Sequence, residues 1–398
     1  MNKKKRKTNI RKDYIYTNKK NAQAENQGKF EVAKKKTAKK RRKRRIILFI
    51  IEVIVILILL AGVFLMSKFN KMNIVELNKG NIVNELLDKE TKEKLESYTD
   101  IALFGLDNRE TGNYSWGNSD LIMIASINDQ TGELSMVSVY RDTYLDISKK
   151  GESSKFRKAN SAYNNGGAEQ SLFMLNNNLD LNIDDYVAFD FEAVADAIDV
   201  LGGIEVDLTD AEVKYINTYI TQTNEIVGGN SNTIWSAGPQ TLDGVQAVAY
   251  SRIRYTAGGD FKRAERQRIV IEAALKKAKT CDLKTLNELV DVVFPKIETS
   301  MSAANMLQLV GAVYDMDVAD SEGFPFERSA IDHPSRGDIV VPCTLETNVI
   351  ELHRILYGTE NYVPSQTVQN FSDYIENDTG YGADDGMDDK FTLDYQEE

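Results

Sequence analysis

Residues 101–143, IALFGLDNRETGNYSWGNSDLIMIASINDQTGELSMVSVYRDT, decide the fold. Three compact apolar runs lie in this stretch: Ile101–Gly105, Leu121–Ile127 and Leu134–Tyr140. Asn128-Asp129-Gln130-Thr131-Gly132 supplies turn chemistry between the last two. Short apolar runs between turn signals predict buried strands, and short links predict an antiparallel meander. Such a meander gathers polar side chains at one edge of the sheet. Asp107 ends the first strand, Asp120 begins the second, and the third returns Arg141 to the same edge. Arg109 sits just beyond Asp107. Two carboxylates with two arginines suit Mg²⁺ and phosphate, because Mg²⁺ takes few carboxylates and completes its octahedron with phosphate oxygens. Each residue taken singly also fits a turn-capping Asp or a surface ion pair.

Downstream the texture alternates. Asn164-Asn165-Gly166-Gly167 predicts a turn before a helix from Ala168 to Leu175. Tyr186–Phe191 reads as a strand, Glu192–Leu201 as a helix ended by Gly202-Gly203, and Ile204–Leu208 as another strand. Gln246–Arg254 reads as a strand, or as a helix passing into a strand. Asp260 is expected to cap a helix from about Lys262 to Lys279. Strands alternating with helices predict an α/β fold, an α-β-α sandwich with a central mixed sheet. Residues 281–365 add helices at Leu286–Val293, Ala303–Tyr314 and Val349–Tyr357. Residues 366–398 form an acidic segment that is expected to be disordered.

Upstream, residues 1–45 hold 20 Lys and Arg against Asp13, Glu25 and Glu31, a charge of +17. The whole chain carries −11, so the remainder carries −28. Between these parts lie Ile46 to Met66, 21 residues whose only charge is Glu52. At a rise of about 1.5 Å per residue, that length spans the ~30 Å hydrocarbon core. The cluster Arg41–Arg45 abuts its N-terminal end, so the positive-inside rule puts residues 1–45 in the cytoplasm and the rest outside. A single-pass anchor in the cell membrane is the expectation, with residues 67–99 as a short stalk and 100–280 as the core of an external domain. Orientation accounts for the basic arm, and no nucleic-acid partner is expected.

A second constellation lies in Tyr250-Ser251-Arg252-Ile253-Arg254 and Gly258–Arg268. Arg252 and Arg254, two apart, would share one face of a strand. Arg263, Arg266 and Gln267 fall at helical spacings of three and four. A helix N-terminus adds free N–H groups, and arginine suits two-pronged capture of oxyanions, so a diphosphate is the natural ligand. Other chemistries lack their parts. Cys281 and Cys343 cannot make a four-ligand zinc site, and they can stand as one disulfide or as two buried thiols. His333 and His353 lack a matching cluster and read as packing or surface residues. No phosphate-binding GxxxxGK loop, GxSxG elbow or HExxH is present.

At these residues the sequence resembles the LytR-CpsA-Psr family of cell-wall phosphotransferases. The likeness runs from about Asp100 to Ala274, and more weakly to about Ser365. Leu103–Arg109 is similar to the family's opening strand, Asn118-Ser119-Asp120 to its Arg-Ser-Asp element, and Ser138–Thr143 to Ser-Ile-Pro-Arg-Asp-Thr. Lys158–Tyr163 with Gly166-Gly167, Asp199–Ile204, Gly244–Ala249 and the arginine segment Tyr250–Gln267 complete the set. Asn118 and Tyr140 depart from the family's Arg and Pro.

The resemblance implies Asp107 and Asp120 as Mg²⁺ ligands. It implies Arg109, Arg141, Arg252, Arg254, Arg263, Arg266 and Gln267 as phosphate contacts. Arg141, Asp260 and Arg263 would then be catalytic, with Asp260 orienting Arg263 or helping to deprotonate the acceptor. The implied reaction moves a glycopolymer, such as teichoic acid or capsule, from polyprenyl diphosphate to peptidoglycan, with the lipid in an apolar tunnel. A pyrophosphatase using water and a non-catalytic glycolipid scaffold are the alternatives.

Overall fold

The computed structural model describes residues 14–30, 34, 71–107 and 112–386. The chain divides into two units, Met1–Ser67 and Lys68–Glu398. In the first, residues 14–30 are helical and expose Tyr14, Ile15, Tyr16 and Phe30. The expected membrane span, residues 46–66, lies outside the described residues. Among the described residues no helix is long and apolar enough to cross a membrane.

In the second unit the strands are β1 (Asn73–Ile74), β2 (Tyr98–Leu106), β3 (Ser119–Asn128), β4 (Glu133–Val139), β5 (Tyr144–Asp146), β6 (Phe156–Lys158) and β7 (Asp185–Phe189). They continue with β8 (Ile204–Leu208), β9 (Gly238–Leu242), β10 (Ile297–Thr299), β11 (Asp317–Phe324), β12 (Arg328–His333) and β13 (Gly337–Pro342). The central sheet is mixed and runs β1-β10-β7-β2-β3-β4-β11. The expected meander is its middle, with β2 antiparallel to β3 and β3 antiparallel to β4. The turn after β3 closes as its residues require. The Asn128 side-chain oxygen accepts from the N–H groups of Gln130 and Thr131, and Gly132 takes a φ of 75°.

Alternation along the strands builds two apolar layers. One face presents Ala102, Phe104, Ile122, Ile124, Val137 and Val139 to the core shared with helices Ser161–Leu179 and Leu345–Tyr357. The other presents Leu121, Met123, Ala125, Leu134 and Met136, covered by Ile271 and Leu275 of the helix Gly259–Ala278. Helices on both faces of a mixed sheet are the expected sandwich. A smaller apolar cluster joins the antiparallel pair β8–β9 to helices Asp210–Val227 and Gly244–Ser251 through Ile204, Val206, Ile216, Ile220 and Val245.

Several expectations are corrected. The stalk of residues 67–99 is part of the domain from residue 73 onward. Strand β1 pairs with β10, and Ile82, Leu87 and Leu95 are buried in the main core. Gly166 and Gly167 form a kink inside a longer helical segment, Ser161–Leu179. Gln246–Arg254 contains no strand. Gly244–Ser251 is a helix started by a capping box in which Asp243 and Gln246 bond each other's backbone N–H, and the chain beyond it turns. Gly258 in the left-handed region, and not Asp260, precedes the arginine helix.

The segment 281–365 has four strands besides its helices, and β10 and β11 complete the central sheet on either side. Within the acidic segment, Gln366–Thr379 is a helix whose Val368, Phe371 and Ile375 are buried in the main core. Their spacing of three and four makes a narrow apolar stripe that the surrounding acids mask in composition. Cys281 and Cys343 are both free thiols.

Candidate phosphate site at the sheet edge

Between β2 and β3 the register shifts by one residue: Gly105 faces Leu121, and Leu106 faces Ser119. Asp120 is therefore the extra residue of a β-bulge. Bulges re-aim a side chain out of the strand's alternation. Here the displaced carboxylate meets three arginines from two other segments.

Asp120 Oδ1 accepts from Arg141 Nη1 at 2.8 Å, and its Oδ2 accepts from Arg254 Nη2 at 3.2 Å and lies 3.8 Å from Arg263 Nη1. Asp260, in the first turn of its helix, closes the ring. Its Oδ2 accepts from Arg141 Nη2 at 3.0 Å, while Oδ1 lies 3.4 Å from Arg263 Nη1 and 3.6 Å from Arg254 Nε. Three guanidinium groups thus surround two carboxylates, an excess of one positive charge. Behind them, Asp142 contacts Arg141 Nε at 3.4 Å and Lys158 Nζ at 3.1 Å.

Electrostatics follow from this packing. Burial opposes charging of Arg141, but the carboxylates of Asp120, Asp260 and Asp142 outweigh it and raise its pKa. Burial also acts against the Asp260 carboxylate, yet Arg263, Arg141 and Arg254 hold its pKa below the ordinary 3.8. Asp260 is accordingly ionised at neutral pH, and its stabilising contribution is lost only as the solution falls below that ordinary value. Arg263 is 4% exposed, and burial brings its pKa down to about 10. Its Nε and Nη1 have no hydrogen-bond acceptor. Nη1 nevertheless lies within ion-pair distance of both carboxylates, so this guanidinium is paired by charge while short of hydrogen bonds.

The expected residues do not all converge. Arg252 and Arg254 diverge because the chain turns between them. Arg252 Nη1 donates to Thr223 Oγ1 at 3.0 Å, and its guanidinium stacks over Phe191 at 4.9 Å and Tyr219 at 5.8 Å. Burial lowers the Arg252 pKa against the opposing charges of Asp107 and, more weakly, Asp120. Arg266 faces away from the cluster. It pairs with Glu212 at 2.7 Å, and donates to the Ile253 carbonyl and to Thr256 Oγ1. Asp107 follows β2 directly and is exposed. Arg109 lies outside the described residues. Gln267 lines a small cleft, with an accessible volume of ≈ 50 Å³, that opens to solvent beside Asp120.

That cleft runs between the sheet (Gly105, Leu106, Leu121, Phe189) and three helices, which contribute Phe191, Val194, Val248, Val270 and Ile271. Its lining is largely apolar, and Asp120 is the member of the ion cluster that lines it.

The sequence reading overlooked the helix Asp210–Val227. Glu212, Tyr219 and Thr223 form the face of that helix that clamps Arg266 and Arg252. A buried Glu at the spacing of apolar Ile216 and Tyr219 was the available signal. Among the described residues no group of three His, Cys, Asp or Glu side chains is arranged to hold a metal.

The LytR_cpsA_psr family model matches residues 67–327. The polyisoprenyl-teichoic acid–peptidoglycan teichoic acid transferase TagU of Enterococcus faecalis is 30% identical over 211 residues, covering 52% of this chain and 63% of that protein. TagU of Bacillus licheniformis is 30% identical over 241 residues, covering 60% of this chain and 68% of that protein. Among solved structures, a Streptococcus agalactiae protein aligns with a TM-score of 0.58 and 22% identity, covering 71% of this chain and 95% of that chain. TagT bound to LI-WTA aligns at 0.50 and 21% identity, covering 77% and 99%. These structures share the fold.

The packing separates Arg266 from the arginines gathered on Asp120 and Asp260, and this can be measured. Removing one member of a buried ion pair leaves an uncompensated charge and costs about 3–5 kcal/mol. Glu212→Ala should therefore destabilise the domain by that amount in denaturant unfolding. A loss below about 1 kcal/mol, the level of an exposed pair, would show that Arg266 is not held as described.

Proposed function

The chain belongs to the LytR_cpsA_psr family, and we propose that it transfers a glycopolymer from a polyprenyl diphosphate carrier to peptidoglycan. The observation that carries this reading is the under-neutralised cluster of Arg141, Arg254 and Arg263 gathered on Asp120, which also lines a small apolar cleft. A diphosphate beside a hydrocarbon chain is the chemistry such a juxtaposition fits. The TagU relatives carry a matching name, though the match to the first of them spans less than two thirds of its length.

In the proposed reaction a sugar hydroxyl of the acceptor attacks the glycan-side phosphorus. A new P–O bond forms, the diphosphate bridge breaks, and polyprenyl phosphate leaves with release of the hydroxyl proton. Arg141, Arg254 and Arg263 stabilise charge on the transferring and leaving phosphates. Arg263 supplies donors that already lack an acceptor. Asp260, whose pKa is held low by the arginines, is a weak base and acts by orienting them. Arg109 stands as an outer phosphate contact and Gln267 as part of the lipid cleft, while Arg252, held by Thr223, Phe191 and Tyr219, supports the site from behind.

Mg²⁺ fits the donor set. Asp107 and Asp120 lie at one sheet edge, and both act on the charge of Arg252. Two carboxylates, with no third protein ligand among the described residues, suit a cation that keeps water and phosphate oxygens. When bound, the ion adds positive charge beside the phosphates. Residues 46–66 would anchor the domain at the outer face of the cell membrane, where a lipid-linked donor and peptidoglycan both reside.

Arginine's fork is central to this reading. Hydrogen bonds to charged groups contribute about 1.5–3 kcal/mol, so Arg254→Lys should weaken binding of a soluble prenyl diphosphate by roughly tenfold or more. Unchanged affinity by calorimetry would reduce the cluster to a surface of point charges. The proposed topology is checked by adding protease to intact cells. The region beyond Ser67 should be degraded and an N-terminal tag spared; the reverse pattern would overturn the orientation.

A further inference from the structure

Tyr140 and Phe261 each sit one residue from a member of the ion cluster, Arg141 and Asp260 respectively. Their rings meet edge to face, with centroids 4.7 Å apart and an interplanar angle of 68°. Tyr140 is 8% exposed and packs with Ala264 and Val340. Room for its ring comes from β11, where a Cβ at Gly323 would fall 2.1 Å from the Tyr140 hydroxyl. The Tyr140 N–H donates to the Phe324 carbonyl at 3.0 Å.

Over this ring pair lies the guanidinium of Arg328, 5.1 Å from the Tyr140 centroid and 4.5 Å from that of Phe261. Arg328 Nη1 is itself tied to the carbonyls of Pro325 and Phe326, at 3.2 and 3.0 Å. The same hairpin holds the other flank of Arg141. Val340 N donates to the Asp142 carbonyl at 2.9 Å, and Thr143 bridges to Val340. The hairpin β12–β13 begins at Arg328, just beyond the residues matched by the family model.

We infer that Arg328 is a positioning residue: with Tyr140 and Phe261 it forms a cation–aromatic clamp that fixes Arg141 against Asp260. The Arg141–Asp260 contact joins the end of β4 to the first turn of a helix more than a hundred residues later. The stack lies one residue from each partner, so it constrains both backbones where their side chains converge. A cation over an aromatic face is attracted by the ring quadrupole, and the attraction strengthens where water is excluded. Tyr140 thus contributes a ring to the clamp at a position where the family pattern has proline. The inference rests on the phosphotransferase reading for its catalytic consequence, and on geometry alone for the clamp.

The test uses the full chain in detergent with a soluble prenyl diphosphate donor. A misplaced positioning group lowers turnover more than ground-state binding, so Arg328→Met should reduce kcat by about tenfold with KM changed by less than about twofold. Arg328→Lys, which keeps a cation over the rings, should recover most of that loss. Unchanged kcat in Arg328→Met, or a loss that Lys does not rescue, would overturn the inference. If the wild-type protein neither binds nor turns over the donor, the functional reading fails instead. A thermal-melting cycle of Arg328→Met with Asp260→Asn then decides the clamp: non-additive shifts support it, and additive shifts overturn it.

Discussion

Three guanidinium groups held against two carboxylates at a sheet edge are the constraint on which the rest of this domain depends. Like charges at that spacing repel, and burying them removes the water that would screen them. The arrangement persists because each arginine is fixed from a different direction. Arg141 is held by Asp120, Asp260 and Asp142, Arg254 by Asp120 and Asp260, and Arg263 by its place in a packed helix. The cluster keeps one unbalanced positive charge, and Arg263 keeps donors without acceptors. Fixed positive charge of this kind is what the proposed diphosphate would meet without reorganisation.

The scaffold explains how so polar a cluster can border an apolar cleft. The bulge at Asp120 turns one carboxylate out of an otherwise apolar strand, and its neighbours Gly105, Leu106 and Leu121 line the groove. The helix Asp210–Val227 restrains Arg252 and Arg266, so that only Arg254 and Arg263 of the arginine segment join the ion cluster. One short stretch of chain thereby supplies both the arginines of the cluster and the arginines that hold a neighbouring helix.

Much of this was legible in the sequence, and the failures have physical causes. The meander of β2, β3 and β4 followed from apolar runs and turn chemistry, and it correctly placed Asp120 and Arg141 at one edge. The grouping of Arg252 with Arg254, and of Arg263 with Arg266, did not survive. Gln246–Arg254 reads as a strand or as a helix passing into one, but the helix ends at Ser251 and the chain turns through Arg252 and Arg254. The helix carrying Arg263 and Arg266 is as the spacing predicts, and there Glu212 of another helix draws Arg266 aside. The partners Glu212, Thr223 and Arg328 are remote along the chain, and pairings over such separations leave no local pattern. Composition also misled at the acidic C-terminal segment, where three buried apolar residues in a helix outweighed the many charges around them. Arg109 and the membrane span belong to residues outside those described, so they stand as read from sequence.

The central claim is that the arginine cluster and the apolar cleft hold one ligand, a diphosphate carrying a polyprenyl chain. The most direct measurement is mass spectrometry of lipids that co-purify with the detergent-solubilised full-length protein. Polyprenyl diphosphate species, with or without attached sugars, should be enriched over the bulk membrane lipids. Recovery of ordinary phospholipids alone, at their membrane proportions, would contradict the account.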